Sequence, residues 1–116
     1  MNMNNYHKFD VLSKNVVVAH VSVIGNNVQI QKENVPIALQ PFKRENCTII
    51  DVYNFLKDRC FDDNREDLKE ILESVGLTSN NPWEWNKISH GITADDFWWI
   101  RWDGETLSWE DVAWKK

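Results

Sequence analysis

The tryptophans of this chain are concentrated in its last twenty residues. Seven occur in 116 residues, and five of them lie between Trp98 and Trp114. Tryptophan buries a large apolar area, and its indole N–H needs an acceptor once it is buried. A segment this rich in indole rings therefore belongs either to an aromatic core or to a surface that anchors a partner.

Carboxylates surround this tryptophan cluster. Residues 95–111 contain six acidic side chains and a single cation, Arg101. Aromatic anchors are enriched among interface hot spots, and an acidic field favours a basic partner. The sequence therefore predicts a surface that binds a basic protein, with no cofactor. Its predicted contact residues are Trp98, Trp99, Trp102, Trp109, Asp95, Asp96, Asp103 and Glu105, with Glu66 and Glu70 from an acidic segment earlier in the chain.

The composition is that of one ordinary globular domain spanning residues 1–116. Hydrophobic residues make up 42% of the chain and charged residues 27%, so a core can form and disorder is not expected. The net charge of −5 is unevenly distributed: residues 1–50 carry five cations and three carboxylates, whereas residues 51–116 carry eight and fifteen. Because such a surface repels phosphate backbones, we expect no direct contact with nucleic acid.

Two features bear on the cellular location. The stretch 1–10 is polar and lacks the apolar core of a signal peptide, and no apolar run approaches the ~20 residues that span a bilayer. We therefore expect a cytoplasmic protein with no membrane partner. In that compartment Cys47 and Cys60 stay reduced, although their separation also permits a disulfide.

The first forty residues predict a β meander. Phe9–Leu12, Val16–Ile24 and Val28–Gln31 are rich in β-branched residues or alternate apolar and polar positions, which is typical of half-buried strands. Residues 13–15 and 25–27 separate them and favour tight turns. The three strands should therefore pair antiparallel in chain order.

The middle of the chain predicts about three helices. The first is expected from Thr48 to about Cys60, and the second from a cap at residues 62–64. The third begins at Asn81, which is followed by a proline at the first helical position, and ends at Gly91.

Residues 97–102 predict a late strand of aromatic and branched side chains that joins the sheet and completes an α+β fold. Alternation places Phe97, Trp99 and Arg101 on one face and Trp98, Ile100 and Trp102 on the other. Two interpretations stay open. In one, the strand is central and both faces are covered, one by helices and the other by Trp109 and Trp114 from a helical turn that begins at Ser108. In the other, some rings are exposed as anchors.

The acidic residues of the second helix also allow two interpretations. Six carboxylates lie between Asp62 and Glu73, with Arg65 and Lys69 as the cations. They can cap the helix and form its solvated face. Alternatively, they join the aromatic segment in a negative patch that occupies the basic groove of a nucleic-acid-handling protein and competes with phosphates.

No strong catalytic or metal-binding pattern is present. His7, His20 and His90 are far apart in the chain, and no metal-ligand spacing, nucleophile elbow or phosphate-binding loop occurs. The sequence thus predicts no catalytic residue and no metal site. A small enzyme that uses the Asp95–Asp96 pair or Cys60 is the alternative.

The stretch from Ser89 to Trp102, closed by Asp103-Gly104-Glu105, resembles small HipA-like proteins of Firmicutes, many of which are carried on mobile elements. The order of parts, a meander ending in Val35-Pro36-Ile37 followed by helices and this motif, is similar too. Those proteins in turn resemble an accessory region that precedes a HipA-type kinase core. The resemblance implies the α+β fold and a mobile-element setting, but no kinase activity, because the ATP-binding and catalytic motifs are absent.

Together these features predict a non-enzymatic, acidic protein-binding factor from a phage or plasmid. The favoured role is an inhibitor of a host defence nuclease, of the anti-CRISPR type, that covers a basic nucleic-acid-binding surface. The resemblance suggests a second role, as an accessory or antitoxin-like partner of a HipA-type kinase. Neither role requires a cofactor.

Overall fold

Residues with high β-propensity build a four-stranded antiparallel sheet. The computed structural model describes residues 6–113. Its strands are β1 (Tyr6–Ser13), β2 (Val16–Ile24), β3 (Asn27–Lys32) and β4 (Trp98–Trp102), in the spatial order β3-β2-β1-β4. The predicted meander and the late aromatic strand that joins it are confirmed, and the fold is α+β.

Short helices lie in the connection between β3 and β4. They are a 3-10 helix at Ile37–Leu39, α1 (Ile49–Lys57), α2 (Leu68–Ser74) and α3 (Pro82–Ser89), and the single turn α4 (Trp109–Val112) follows the sheet. The longest of them, α1, has nine residues. Because isolated helices of this length are marginal in water, their stability depends on packing against the sheet.

Side-chain caps fix where α1, α3 and α4 begin. The Thr48 hydroxyl accepts a hydrogen bond from the N–H of Ile50 at 3.3 Å, and the N–H of Thr48 donates to Asp51 at 2.7 Å. The Asn81 carboxamide oxygen accepts from two N–H groups in the first turn of α3. Ser108 forms a capping box at the start of α4. These three predicted starts are confirmed, because a cap is a local interaction that the sequence encodes directly.

The predicted start of the second helix is wrong. α2 begins at Leu68, and residues 62–67 form turns instead. The Asp62 carboxylate accepts the N–H of Asn64 at 2.8 Å, and the Asp62 carbonyl accepts the N–H of Arg65 at 3.1 Å. Such side-chain to backbone bonds compete with helix formation, so these acids build a loop rather than a cap.

Each face of the sheet has its own apolar layer. On the first face, α1 packs against β1, β2 and β4. The buried members of this layer include Phe9, Val11, Val21, Val23, Val52, Phe55, Leu56 and Ile100. On the second face, a smaller cluster joins Leu12, Trp99 and Trp109. The single turn α4 therefore helps to close a face that no longer helix covers.

β4 is an edge strand and not the central strand that was predicted. It pairs antiparallel with β1, with Phe9 opposite Trp102 and Leu12 opposite Trp99. Both of its faces are nevertheless covered, as the first interpretation predicted: Ile100 lies in the layer with α1, and Trp99 lies against Trp109. Trp114 lies outside the described residues.

The outer edge of β4 has its backbone donors satisfied. The N–H of Trp98 donates to the Asp96 carboxylate at 3.0 Å, and the N–H of Ile100 donates to a loop carbonyl at 2.7 Å. The N–H of Trp102 donates to Glu105 at 2.7 Å. Unpaired donors on an edge strand invite pairing with another chain, so these bonds protect the edge.

Gly91 stands at a tight approach between the loop after α3 and β4. Its φ is +70°, and a Cβ placed there would lie 3.0 Å from Ile100 Cδ1 and 3.1 Å from Asn86 Oδ1. Both contacts are to fully buried residues. We predict that Gly91→Ala lowers the free energy of unfolding by about 3 kcal/mol, from backbone strain and overpacking together. Urea denaturation measures the change.

Gly76→Ala is the matched control. Gly76 has a φ of +83° but no atom within 4 Å of the added Cβ. It should therefore lose only the backbone contribution, about 1 kcal/mol. Equal losses in the two variants would show that the contact with Ile100 is unimportant.

Candidate protein-interaction site

Three of the predicted anchor tryptophans use their indole N–H inside the protein. Trp98, Trp99 and Trp102 each donate it to a backbone carbonyl outside β4. The acceptors are the carbonyls of Leu39, Lys14 and Asn86, at 2.8, 2.6 and 3.0 Å respectively. These bonds orient the rings within the fold, where each satisfies the polar end of a large apolar side chain.

The burial of Trp99 and Trp109 contradicts the prediction that they contact a partner. Trp99 is 0% exposed and Trp109 is 4% exposed. Their rings form the core of the second face because α4 folds back over β4. Trp98 and Trp102 are half-buried at the margin of the first apolar layer, so they offer only part of each ring to solvent.

Asp96, whose side chain is 30% exposed, belongs to an ion pair with a buried cation. It contacts the guanidinium of Arg59, whose side chain is 4% exposed. The same guanidinium donates to the carbonyls of Gly91 and Trp98 and lies 5.1 Å from the centre of the Phe55 ring. This arrangement assigns Asp96 a structural role, because a buried guanidinium needs its carboxylate partner.

Glu105 is also engaged within the fold. Its carboxylate accepts from His90 Nε2 at 2.9 Å as well as from the N–H of Trp102. Of the predicted contact residues, four remain exposed. They are Glu66, Glu70, Asp95 and Asp103. The structure thus buries two of the four predicted rings and divides the other two between separate pockets. Trp98 lines a groove with Asp95, and Trp102 lines a pocket with Asp103.

An apolar groove forms elsewhere, where the end of α1 meets α3 and α4. Its volume is about 540 Å³, and its apolar lining includes Phe61, Trp85, Ile92 and Val112. The ring centres of Phe61 and Trp85 are 5.2 Å apart, and both side chains are half-buried. A groove of this size accommodates one or two side chains of a partner.

Two exposed carboxylates, Asp58 and Asp95, lie in the same groove. Within residues 6–113, neither has a cation within ion-pair distance. The cations of the segment 57–65 are each paired with other acids. These pairs are Lys57 with Asp63, Arg59 with Asp96, and Arg65 with Asp67. Arg59 also lines the groove, but its side chain is buried. The Arg65 guanidinium lies 4.8 Å from the centre of the Phe61 ring and is neutralised by Asp67. Among the described residues, the unpaired charges of the groove are therefore the two carboxylates.

The sequence reasoning missed Phe61, Trp85 and Asp58 as site residues. A signal for Trp85 was present, because Trp85, Ser89 and Ile92 recur at helical spacing along α3 and just beyond it. No local signal brings Val112 to this stripe. The groove depends on the return of α4 to the sheet, which is a tertiary contact.

The groups of the alternative enzyme hypothesis adjoin this groove but show little activation. Burial raises the pKa of the Cys60 thiol, which disfavours the nucleophilic thiolate at neutral pH. Its S–H donates to the carbonyl of Leu56 at 3.4 Å, and Asp96 is held by Arg59. Cys47 and Cys60 are both free thiols. Within residues 6–113 no three His, Cys, Asp or Glu side chains are grouped so as to hold a metal ion.

The chain matches no protein-family model, and no curated protein or solved structure is significantly similar to it. The resemblance to HipA-like proteins, and with it the role as a kinase partner, stays a prediction. No helix within residues 6–113 is long and apolar enough to cross a bilayer.

A separate row of charges crosses β2, β1 and β4 on the second face of the sheet. His20 Nδ1 lies 2.7 Å from the Asp10 carboxylate, and His20 Nε2 lies 2.9 Å from Glu33, which follows β3. On the other side, Asp10 lies 3.5 Å from Arg101 of β4. The hydrogen bond to Glu33 and then that to Asp10 raise the pKa of His20 above its usual 6.5.

Asp96→Ala tests the structural role of the ion pair. It leaves the Arg59 guanidinium buried without its carboxylate, so we predict a loss of about 2 to 3 kcal/mol in the free energy of unfolding. Asp95→Ala is the control, because Asp95 is exposed and should change stability by less than about 0.5 kcal/mol. Similar urea midpoints for the two variants would contradict the assignment.

His20 should make stability depend on pH. A raised pKa in the folded state stabilises the fold fully below the unfolded pKa of 6.5, and this contribution is lost as the pH rises through the folded pKa. The ring is 41% exposed, so solvent screening limits the effect to roughly 0.5 kcal/mol. The difference in unfolding free energy between the wild type and His20→Gln should therefore be largest below pH 6.5 and shrink as the pH rises above it. A constant difference would refute this prediction.

Proposed function

We propose that this protein is a non-enzymatic protein-binding factor that presents an acidic surface to a basic partner. The carrying observation is that the charge asymmetry of the sequence persists at the surface. In residues 51–113, eleven carboxylate side chains are exposed against three cationic ones, whereas residues 6–50 expose five cations and two carboxylates. The exposed acids of the second part include Asp58, Glu66, Glu70, Asp95 and Asp103.

Such a surface favours association with lysine- and arginine-rich proteins. Fixed negative charge steers a basic partner into encounter and repels competing phosphates. The finer form of the proposal is that the partner is a defence nuclease and that this protein covers its nucleic-acid-binding surface. The supporting reason is that the residues that bind phosphate are the same residues that an acidic protein attracts.

Displacement of DNA from a purified RNA-guided nuclease tests this proposal. A labelled duplex is bound to the nuclease, and the protein is titrated in while fluorescence anisotropy is followed. We expect displacement, with an apparent affinity that falls about tenfold or more between about 50 and 200 mM salt. No displacement at low salt would reject this nuclease as the partner, and salt-independent binding would reject the electrostatic basis of the proposal.

Charge reversal provides a matched control in the same assay. Lys32→Glu changes a cation on β3, at the opposite edge of the sheet from β4, and Asp103→Lys changes an acid that follows β4; both residues are exposed. Asp103→Lys should weaken displacement, and Lys32→Glu should leave it unchanged or strengthen it. The opposite order would contradict the proposal.

A further inference from the structure

The groove between the end of α1, α3 and α4 combines aromatic rings with carboxylates that are unpaired in the described chain. Its floor has half-buried aromatic rings, Phe61 and Trp85. Its accessible charges, Asp58 and Asp95, are both negative and lack cationic partners within residues 6–113. Aromatic residues in a concave, partly desolvated site usually contribute most of the binding energy. The charges beside them determine whether a positively or a negatively charged partner is preferred.

Other surfaces that combine rings with carboxylates also carry cations. The pocket beside Trp102 and Asp103 has Lys8 and Arg101 in its lining. The groove on the other side of Asp58 and Asp95 also has Lys43 and Arg44 in its lining, so its charge is mixed. The outer edge of β4 has no donor free at Trp98, Ile100 or Trp102 for strand addition. The acidic loop and helix around Glu66 and Glu70 expose charge without a comparable aromatic floor.

We propose that this groove is the docking site for the basic partner, an inference that rests on the proposed function. The occupant is a cationic amphipathic segment of a protein. One apolar side chain packs against Trp85 and Val112, and a lysine or arginine lies between Asp58 and Asp95. Burial of the apolar anchor provides affinity and register, and the two carboxylates select a positive charge.

Nuclear magnetic resonance with a defined peptide tests the site. The probe is a synthetic peptide of about 14 residues made of leucine and lysine, with the leucines at helical spacing. The indole N–H signals of the 15N-labelled protein are followed, and the Trp85 signal is assigned with Trp85→Phe. We expect the Trp85 signal to shift on titration. The signals of Trp98, Trp99 and Trp102 should stay nearly constant, because backbone carbonyls hold these groups.

Two double variants with the same change in net charge locate the contact. Asp58→Lys with Asp95→Lys alters the groove, and Glu66→Lys with Glu70→Lys alters the acidic helix. The first pair should weaken peptide binding about tenfold, and the second by less than about threefold. A peptide with glutamate in place of lysine should not bind, and an all-lysine peptide should bind without moving the Trp85 signal.

Three results overturn the inference in distinguishable ways. If the Glu66 and Glu70 double variant loses more peptide affinity than the Asp58 and Asp95 double variant, and the Trp85 signal does not shift, the contact lies on the acidic helix. The proposed function then remains intact. Equal losses from both pairs show diffuse attraction with no docking site. An absence of peptide binding also rejects the groove, and the DNA displacement assay then decides independently whether a basic partner is bound.

Discussion

The buried guanidinium of Arg59 holds the aromatic end of the chain against helix α1. One side chain satisfies the carbonyls of Gly91 and Trp98 and pairs with Asp96. A charge removed from water is tolerated only when its donors find partners, so the loop from Gly91 to Trp98 has to adopt one arrangement. That arrangement delivers β4 to β1 in register. It also gives two adjacent carboxylates different surroundings: Asp96 pairs with Arg59, and Asp95 is left exposed in the groove.

The high tryptophan content compensates for the short helices, which bury little apolar area by themselves. α4 is a single turn, and an isolated turn has no stability of its own. Trp109 supplies the apolar area that such a turn otherwise lacks, and its contact with Trp99 closes the second face. On the first face, Trp98 and Trp102 extend the layer formed by α1 to the edge of the sheet. Most of the rings that first suggested a binding surface are therefore the means by which a small domain covers both faces of an edge strand.

Most local interactions were predictable from the sequence, and few non-local ones were: that the aromatic strand joins the sheet was predicted, but its place at the edge was not. The meander follows from period-two alternation, and the starts at Thr48, Asn81 and Ser108 follow from caps. The position of β4 at the edge depends on its pairing with β1 across most of the chain. The roles of Asp96 and Glu105, as acceptors for the N–H groups of that edge, depend on the same pairing. A carboxylate in a sequence gives no sign of whether it will meet solvent or a backbone donor.

The same distinction bears on how the proposed surface works. Eleven exposed carboxylates in residues 51–113 give long-range attraction, but charge spread over so many positions fixes neither orientation nor register. A fixed binding orientation requires a concave apolar contact, because the dispersion attraction between packed atoms weakens sharply when a gap of a fraction of an ångström opens between them. Trp85 combines a place in an apolar groove with neighbouring carboxylates that lack cationic partners within residues 6–113. The long-range attraction of a partner by the whole acidic surface and its orientation by this one groove are therefore separable. Substitutions at exposed residues can weaken either effect, while the ion pair of Arg59 and Asp96 maintains the fold.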